Sequence, residues 1–199
     1  SFAAIAKNKV LVDCDVDAAD LHLILKPTGQ KKQEFWSGQV AVINQEKCIQ
    51  CDLCRSLCRF EAIKDYKVDH ISCEGCGFCS HICPVNAIQM EECLAGHWFV
   101  SNTPYGCLVH ARLGTAQENS GKLVATVRKE ARQIAEKDKL DIIISDGPPG
   151  IGCPVISSLS GADLAVLVTE PTLSGIHDLS MGTAGWRWWS SRTSRATSM

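Results

Sequence analysis

Apolar residues fall in short runs along this chain, set apart by polar and charged breaks. Val10-Leu11-Val12 reads as a buried strand and runs into Asp13-Cys14-Asp15-Val16-Asp17. Carboxylates just past a strand end can face the crevice where open α/β sheets take ligands; solvated turn and cap carboxylates fit the stretch equally well. Leu21–Leu25 is apolar and is broken by Pro27-Thr28-Gly29, after which Lys31-Lys32 reads as a solvated loop. Val40-Ala41-Val42-Ile43 follows as another apolar run, and residues 97–100 read as a strand. Gly106–Leu113 and residues 123–125 read as strand or helix pieces. From 122 to 139, Leu123, Val127, Ala131, Ile134 and Ala135 form a helical stripe with charges between, the mark of a core-facing helix. Ile142-Ile143-Ile144 reads as a buried strand that ends in Asp146 and the loop Gly147-Pro148-Pro149-Gly150. Residues 164–168 read as another. Strands alternating with a helix predict a mainly parallel sheet covered on both faces.

Composition adds a class to this pattern. With 45% hydrophobic and 21% charged residues in 199, the chain reads as soluble and globular. Its net charge of −2 gives no general attraction to nucleic acid or anionic membrane. No apolar run nears the ~18 residues of a membrane helix. Ser1-Phe2-Ala3-Ala4-Ile5-Ala6 has neither the basic nor the long apolar part of a signal peptide and reads as the end of a helix. A reducing, cytoplasmic setting is therefore expected.

The cysteines carry the strongest signal. Cys48, Cys51, Cys54 and Cys58 follow C-x2-C-x2-C-x3-C, and Cys73, Cys76, Cys79 and Cys83 repeat it before Pro84. Ala62-Ile63 and Ala87-Ile88 repeat at the same 25-residue offset, so the segment is a duplicated half-domain. The spacing resembles that of the bacterial two-cluster ferredoxins over residues 44–92, where the fourth cysteine of each run serves the other cluster. The resemblance implies one [4Fe-4S] cluster on Cys48, Cys51, Cys54 and Cys83, and a second on Cys73, Cys76, Cys79 and Cys58. A tight loop can wrap one face of a cubane with three thiolates, but it cannot also close behind it. Gly75 and Gly77 suit a loop that approaches a cluster. Ile49, Leu53, Ile63, Ile71, Phe78, Ile82, Val85 and Ile88 can keep water off. Zinc, which favours C-x2-C pairs across a long gap, and a disulfide framework fit less well. Cys14, Cys93, Cys107 and Cys153 read as small packed residues.

A second resemblance spans residues 1–180. VLVDCDVDAADL, DIIISDGPPGIGCPV, LAVLVTEPTLSGIHDL and VHARLGTAQENSGKLVATVR together look like the MinD/ParA/Mrp class of P-loop ATPases, in the branch with an inserted ferredoxin. It implies an incomplete P-loop sheet at 1–43 and 93–181 around an α+β insert at 44–92. It implies that Asp15 sits near Mg²⁺ or the attacking water, that Asp146 is the Walker B carboxylate, and that Gly150 lies in the γ-phosphate switch. Mg-ATP and a homodimer belong to the intact relative, with a redox protein as the partner of the clusters. The family's phosphate loop, GKGGxGKT, is not among these residues; the sole Gly-Lys pair is Gly121-Lys122, followed by Leu123. The chain therefore reads as a fragment inactive as an ATPase.

Residues 182–199, with Trp186, Trp188 and Trp189 and no period, read as a shifted frame in preference to a disordered tail. His110 reads as structural, His81 as tuning solvation near the cysteines, and His177-Asp178 as an exposed helix start. The function expected is electron transfer gated by ATP binding. An Mrp-like cluster carrier is the alternative, and a ParA-like positioning protein is the weaker third.

Overall fold

The computed structural model describes residues 2–114, 119–175 and 177. The tail at 182–199 lies outside the described residues, as does Asp178. In chain order the elements are α1 (Phe2–Ile5), β1 (Lys9–Asp13), α2 (Leu21–Leu25), β2 (Thr28–Ile43), α3 (Leu53–Ser56), β3 (Ile63–Lys64) and β4 (Lys67–Val68). There follow α4 (Phe78–Ile82), β5 (Ile88–Thr103), β6 (Gly106–Leu113), α5 (Ser120–Asp138), β7 (Ile142–Asp146) and α6 (Cys153–Leu159). The chain divides into two units: residues 1–31, 99–111 and 120–199, and residues 32–98 with 112–119.

In the first unit the run Val10-Leu11-Val12 becomes β1, whose three side chains are almost wholly buried. β1 pairs parallel with β6 on one side, Leu11 opposite Leu108, and parallel with β7 on the other, Asp13 opposite Asp146. Side chains alternate across a strand. Leu11 and Leu108 therefore pack on one face with Ala3 of α1 and Leu25 of α2, while Val10 and Val12 point to the other. There α5 lies against β1 and β7, burying Leu123, Val124, Val127, Ala131 and Ala135. The stripe read from sequence is this face, with Val124 added and Ile134 left half-buried. The helix stops at Lys139, which takes a left-handed φ of 53°, so that the Leu140 N–H returns to the Ala135 carbonyl at 2.8 Å. Arg128 holds α6 by donating from Nη1 to the carbonyls of Ser157 and Ser160, each at 2.6 Å.

The five-stranded sheet runs β2-β5-β6-β1-β7. It is mixed, which corrects the mainly parallel sheet expected from sequence. β2 and β5 are long strands whose residues continue from one unit into the other. In the second unit the Cys93 Sγ donates to the Ser37 carbonyl (3.1 Å) and the Asn44 N–H to the Ala87 carbonyl (2.8 Å). In the first, Thr28 Oγ1 donates to the Asn102 carbonyl (3.4 Å). Partner numbers fall on one strand as they rise on the other, which is an antiparallel register. Lys31 and Lys32 accordingly lie in a strand and not in the expected loop. Their polarity is compatible with it because both are exposed.

Two further readings change. β7 forms where Ile142-Ile143-Ile144 predicts it, but Ile142 is 44% exposed because β7 closes the sheet on one side only. Residues 164–168 form no strand, and Leu164 and Val168 are 81% and 89% exposed. An apolar run supplies the tendency to be buried; a strand also needs a paired neighbour, and these residues have none assigned.

The second unit holds the cysteine runs. β3 and β4 form a hairpin, Ile63 opposite Val68, turning through Asp65 and Tyr66 with φ of 46° and 57°, as a two-residue hairpin of this hand requires. Ala41, Ile43, Cys54, Ile63 and Ile88 make its core.

Candidate metal centre

The duplication seen in the cysteines is also present in the backbone. Gln50 and Asp52 take left-handed φ values of 53° and 63°, and Gly75 and Gly77, 25 residues on, take 62° and 72°. Glu61 and Asn86 repeat the relation at 51° and 50°. Each run thus alternates handedness around its middle cysteine, a pattern that turns successive N–H groups to one side and suits an anionic guest. Asp52 and Gly77 then start the short helices α3 and α4, which carry Cys54 and Cys79. Sequence reading noticed the glycines of the second run. It missed Gln50 and Asp52, although a 25-residue shift of the glycines points straight to them.

Gly75 has a second reason to be glycine. A Cβ there would stand 2.2 Å from the carbonyl oxygen of Gln39 in β2, whereas one on Gly77 would meet nothing nearer than Ser80 Oγ at 3.9 Å. The backbone of β2, close against the loop, sets this requirement.

Cys48, Cys51, Cys54 and Cys83 line one small cavity of about 20 Å³, with Ile43, Ile49, Val85 and Ile88 as apolar walls and Tyr66 at its side. Three thiols come from the first run and the fourth from the second. Asn44 braces the loop: its Oδ1 accepts the N–H groups of Glu46 (2.9 Å) and Lys47 (3.1 Å), and its carbonyl accepts the Cys48 N–H (3.1 Å). The Ala87 N–H donates to Cys83 Sγ at 3.3 Å, the kind of contact that tunes a cluster sulfur. Burial, and then the nearby Cys48 and Cys51 thiols, push the Cys54 thiol above its ordinary value. Burial followed by Cys73 and Cys76 does the same for Cys79. Mutual crowding of thiols raises the cost of ionising them, and a bound metal removes that cost by taking the thiolates as ligands. Cys58, Cys73 and Cys79, like Cys48 and Cys83, pack on the core of this unit. Among the described residues no group of three or more His, Cys, Asp or Glu is gathered as for a metal ion. The four soft thiols instead border an open, apolar-walled space, and a donor set of this kind fits an iron–sulfur cluster.

The expected apolar cover is divided. Ile63 and Ile88 are buried, whereas Ile49, Ile71 and Phe78 are 61%, 65% and 50% exposed. Of these only Phe78 lies on a helix, the one-turn α4; Ile49 and Ile71 lie in loops outside any helix or strand.

In the first unit, Asp15 and Asp146 come together at the carboxyl ends of β1 and β7. Burial and then Asp15 hold Asp146 above its ordinary value. Asp13, passed over as a site by sequence reading, is the buried member. It accepts the Asp15 N–H on Oδ1 (3.1 Å) and the Leu21 N–H on Oδ2 (3.2 Å), and burial pushes it up to about 6. Gly150, at φ 94°, has open space around its Cβ position. His110 stacks between Phe99 and His22, at 4.9 and 5.2 Å between ring centres. Cys14 is buried and Cys153 exposed.

Comparison with known proteins agrees with the thiol cavity. Residues 41–90 match the model of the 4Fe-4S dicluster domain. Over 66 residues the chain is 38% identical to pyruvate synthase subunit PorD of Methanothermobacter marburgensis, covering 33% of the chain and 82% of that subunit. The PorD subunit of Methanocaldococcus jannaschii is 34% identical over 64 residues, covering 30% of the chain and 74% of the subunit. An uncharacterized protein of Methanocaldococcus jannaschii is 36% identical over 171 residues. That match takes in 86% of the chain but 60% of the relative's length. The chain belongs to the 4Fe-4S dicluster ferredoxin family.

Proposed function

We propose that this chain transfers single electrons through two [4Fe-4S] clusters, the first held by Cys48, Cys51, Cys54 and Cys83, the second by Cys73, Cys76, Cys79 and Cys58. The gathering of Cys48, Cys51 and Cys54 with Cys83 in one apolar-walled cavity carries the reading. When bound, each cluster supplies a one-electron couple at low potential. The protein's part is to deliver four thiolates, to turn N–H groups toward sulfur, and to limit water. The redox partner is another protein; the PorD relatives, named as subunits of pyruvate synthase, support a role inside or beside an oxidoreductase.

The scaffold reading is finer. Three parallel strands, with Asp13, Asp15 and Asp146 at their carboxyl ends, support a MinD/ParA-like nucleotide site, where Asp15 and Asp146 serve Mg²⁺ and water and Gly150 the γ-phosphate. In the full-length homodimer ATP binding would then gate electron transfer. An Mrp-like cluster carrier is disfavoured because eight thiols in one chain suit clusters that stay.

The test is an anaerobic redox titration followed by low-temperature electron paramagnetic resonance. Two one-electron steps with spectra of reduced [4Fe-4S] support the reading. Irreversible loss of iron on reduction, or rapid transfer of iron to an apo-acceptor in the presence of chelator, contradicts it. Cluster reduction indifferent to ATP in rate and potential, in an intact homologue, removes the gating.

A further inference from the structure

We infer that Asp52 and Arg55 form a charge pair that sets the reduction potential of the first cluster alone, the carboxylate lowering it and the guanidinium raising it. The inference rests on the ligand reading above. Asp52 follows Cys51 and lines the cavity that Cys48, Cys51, Cys54 and Cys83 share. An aspartate at the start of a helix ordinarily caps it, but the Asp52 side chain makes no capping bond to α3. Its Oδ2 instead accepts from Arg55 Nη2 at 3.0 Å. Its Oδ1 is buried and makes no hydrogen bond of ordinary geometry. A carboxylate oxygen buried in this way costs stability, and four thiolates beside it add like-charge repulsion.

The duplication shows that the loop does not require the pair. Within residues 41–90, a shift of 25 carries Asp52 onto Gly77 and Arg55 onto Ser80. Gly77 has the same left-handed backbone, φ 72° against 63°. A link between the two positions persists, but as a neutral bond: Ser80 Oγ donates to the Gly77 carbonyl at 2.7 Å. The first loop therefore carries two charges at positions where the second carries none. The second loop has a carboxylate of its own, Glu74, at the place of Ile49, but it is exposed, and water screens it.

The electrostatic consequence has a sign. A cluster on four thiolates is anionic and becomes more so on reduction. A fixed negative charge nearby opposes the added electron, and a positive one favours it. Asp52 lines the cavity and Arg55 does not, so the carboxylate is the nearer charge. Its field reaches along the wall: loss of water, and then the Asp52 carboxylate, push the Tyr66 hydroxyl above its ordinary value. Removing the carboxylate raises the potential of the first cluster, and removing the guanidinium lowers it.

Three variants separate charge from folding. Asp52→Asn keeps the shape and suits the left-handed backbone, Asp52→Gly copies the second loop, and Arg55→Gln removes the opposite charge. Each is titrated anaerobically as holo-protein, with iron and sulfide counted first. The expected result is an upward shift of one cluster in Asp52→Asn and Asp52→Gly, a downward shift of that same cluster in Arg55→Gln, and the other potential unmoved throughout. The cluster that moves should be the one missing when Cys48 and Cys83 are both replaced by alanine. Full clusters with both potentials unmoved, both moved equally, or moved the same way by the Asp52 and Arg55 variants overturn the inference alone, as does a shift confined to the other cluster. Loss of a cluster in both Asp52 variants makes Asp52 a folding residue and also overturns it. A wild-type protein with fewer than two clusters overturns the ligand reading, and this inference with it.

Discussion

Replacing Gly75 by alanine tests the packing of the second cysteine loop against β2. Two costs are separable there. An alanine in the left-handed region costs about 1–2 kcal/mol relative to the right-handed one. Gly75→Ala and Gly77→Ala share that cost, since both glycines have φ above 60°. Gly75→Ala adds a steric cost, because its Cβ would lie 2.2 Å from the Gln39 carbonyl oxygen and a backbone atom must move. Overpacking of this kind costs a further ~1–3 kcal/mol. Gly77→Ala meets Ser80 Oγ at 3.9 Å, an ordinary contact. Gly75→Ala should therefore lose about 2–5 kcal/mol and Gly77→Ala about 1–2. The assay is the half-life of the visible cluster absorbance in a fixed concentration of denaturant, under argon. Each ~1.4 kcal/mol that appears in the unfolding barrier shortens it tenfold. Gln50→Gly, in the first loop at φ 53°, should lengthen it, because glycine relieves the same strain. A Gly75→Ala half-life no shorter than that of Gly77→Ala would refute the close approach of the loop to Gln39.

Other expectations follow from burial and charge. Leu108→Ala empties a fully buried site between Leu11 and Leu25 and should cost ~2–5 kcal/mol by denaturant unfolding, whereas Leu164→Ala, at a residue 81% exposed, should stay within ~0.5 kcal/mol. Asp13, pushed up to about 6 by burial, binds its proton more tightly in the folded than in the unfolded chain. Its contribution therefore falls as pH rises from about 4 to about 6 and is flat above, by no more than about 3 kcal/mol once solvent screening is allowed for. Asp13→Asn should remove that slope from unfolding midpoints measured between about pH 4 and pH 6, while an unchanged slope would place the proton elsewhere.

What was legible in the sequence was local or covalent. Thiol spacing within each run is fixed by the chain itself, so the cavity thiols could be named in advance. The α5 stripe was legible because five side chains repeat with the helical period. Pairing was not legible. Thr28 to Gln39 carries Lys31, Lys32 and Gln39 with no alternation, and it becomes strand because β5 lies beside it. Residues 164–168 have the composition of a strand and no assigned neighbour, so composition misled. The left-handed pair Gln50 and Asp52 was hidden because neither is glycine, and only the comparison between the duplicated halves brings it out. The place of Tyr66 was hidden for a related reason: the hairpin that carries it lies between the runs, and the chain must fold before it lines the same cavity as Cys48 and Cys83.

The most direct test of the crossed ligand sets is the iron content of two double variants, purified without oxygen beside the wild type. Cys48→Ala with Cys83→Ala removes two ligands from one cluster, and Cys48→Ala with Cys58→Ala removes one from each. Crossed ligation predicts about eight iron atoms per wild-type chain, about four in the first variant and close to none in the second. Iron lost from both clusters in the first variant and kept at about half in the second would mean that each run holds its own cluster, and it would contradict the assignment.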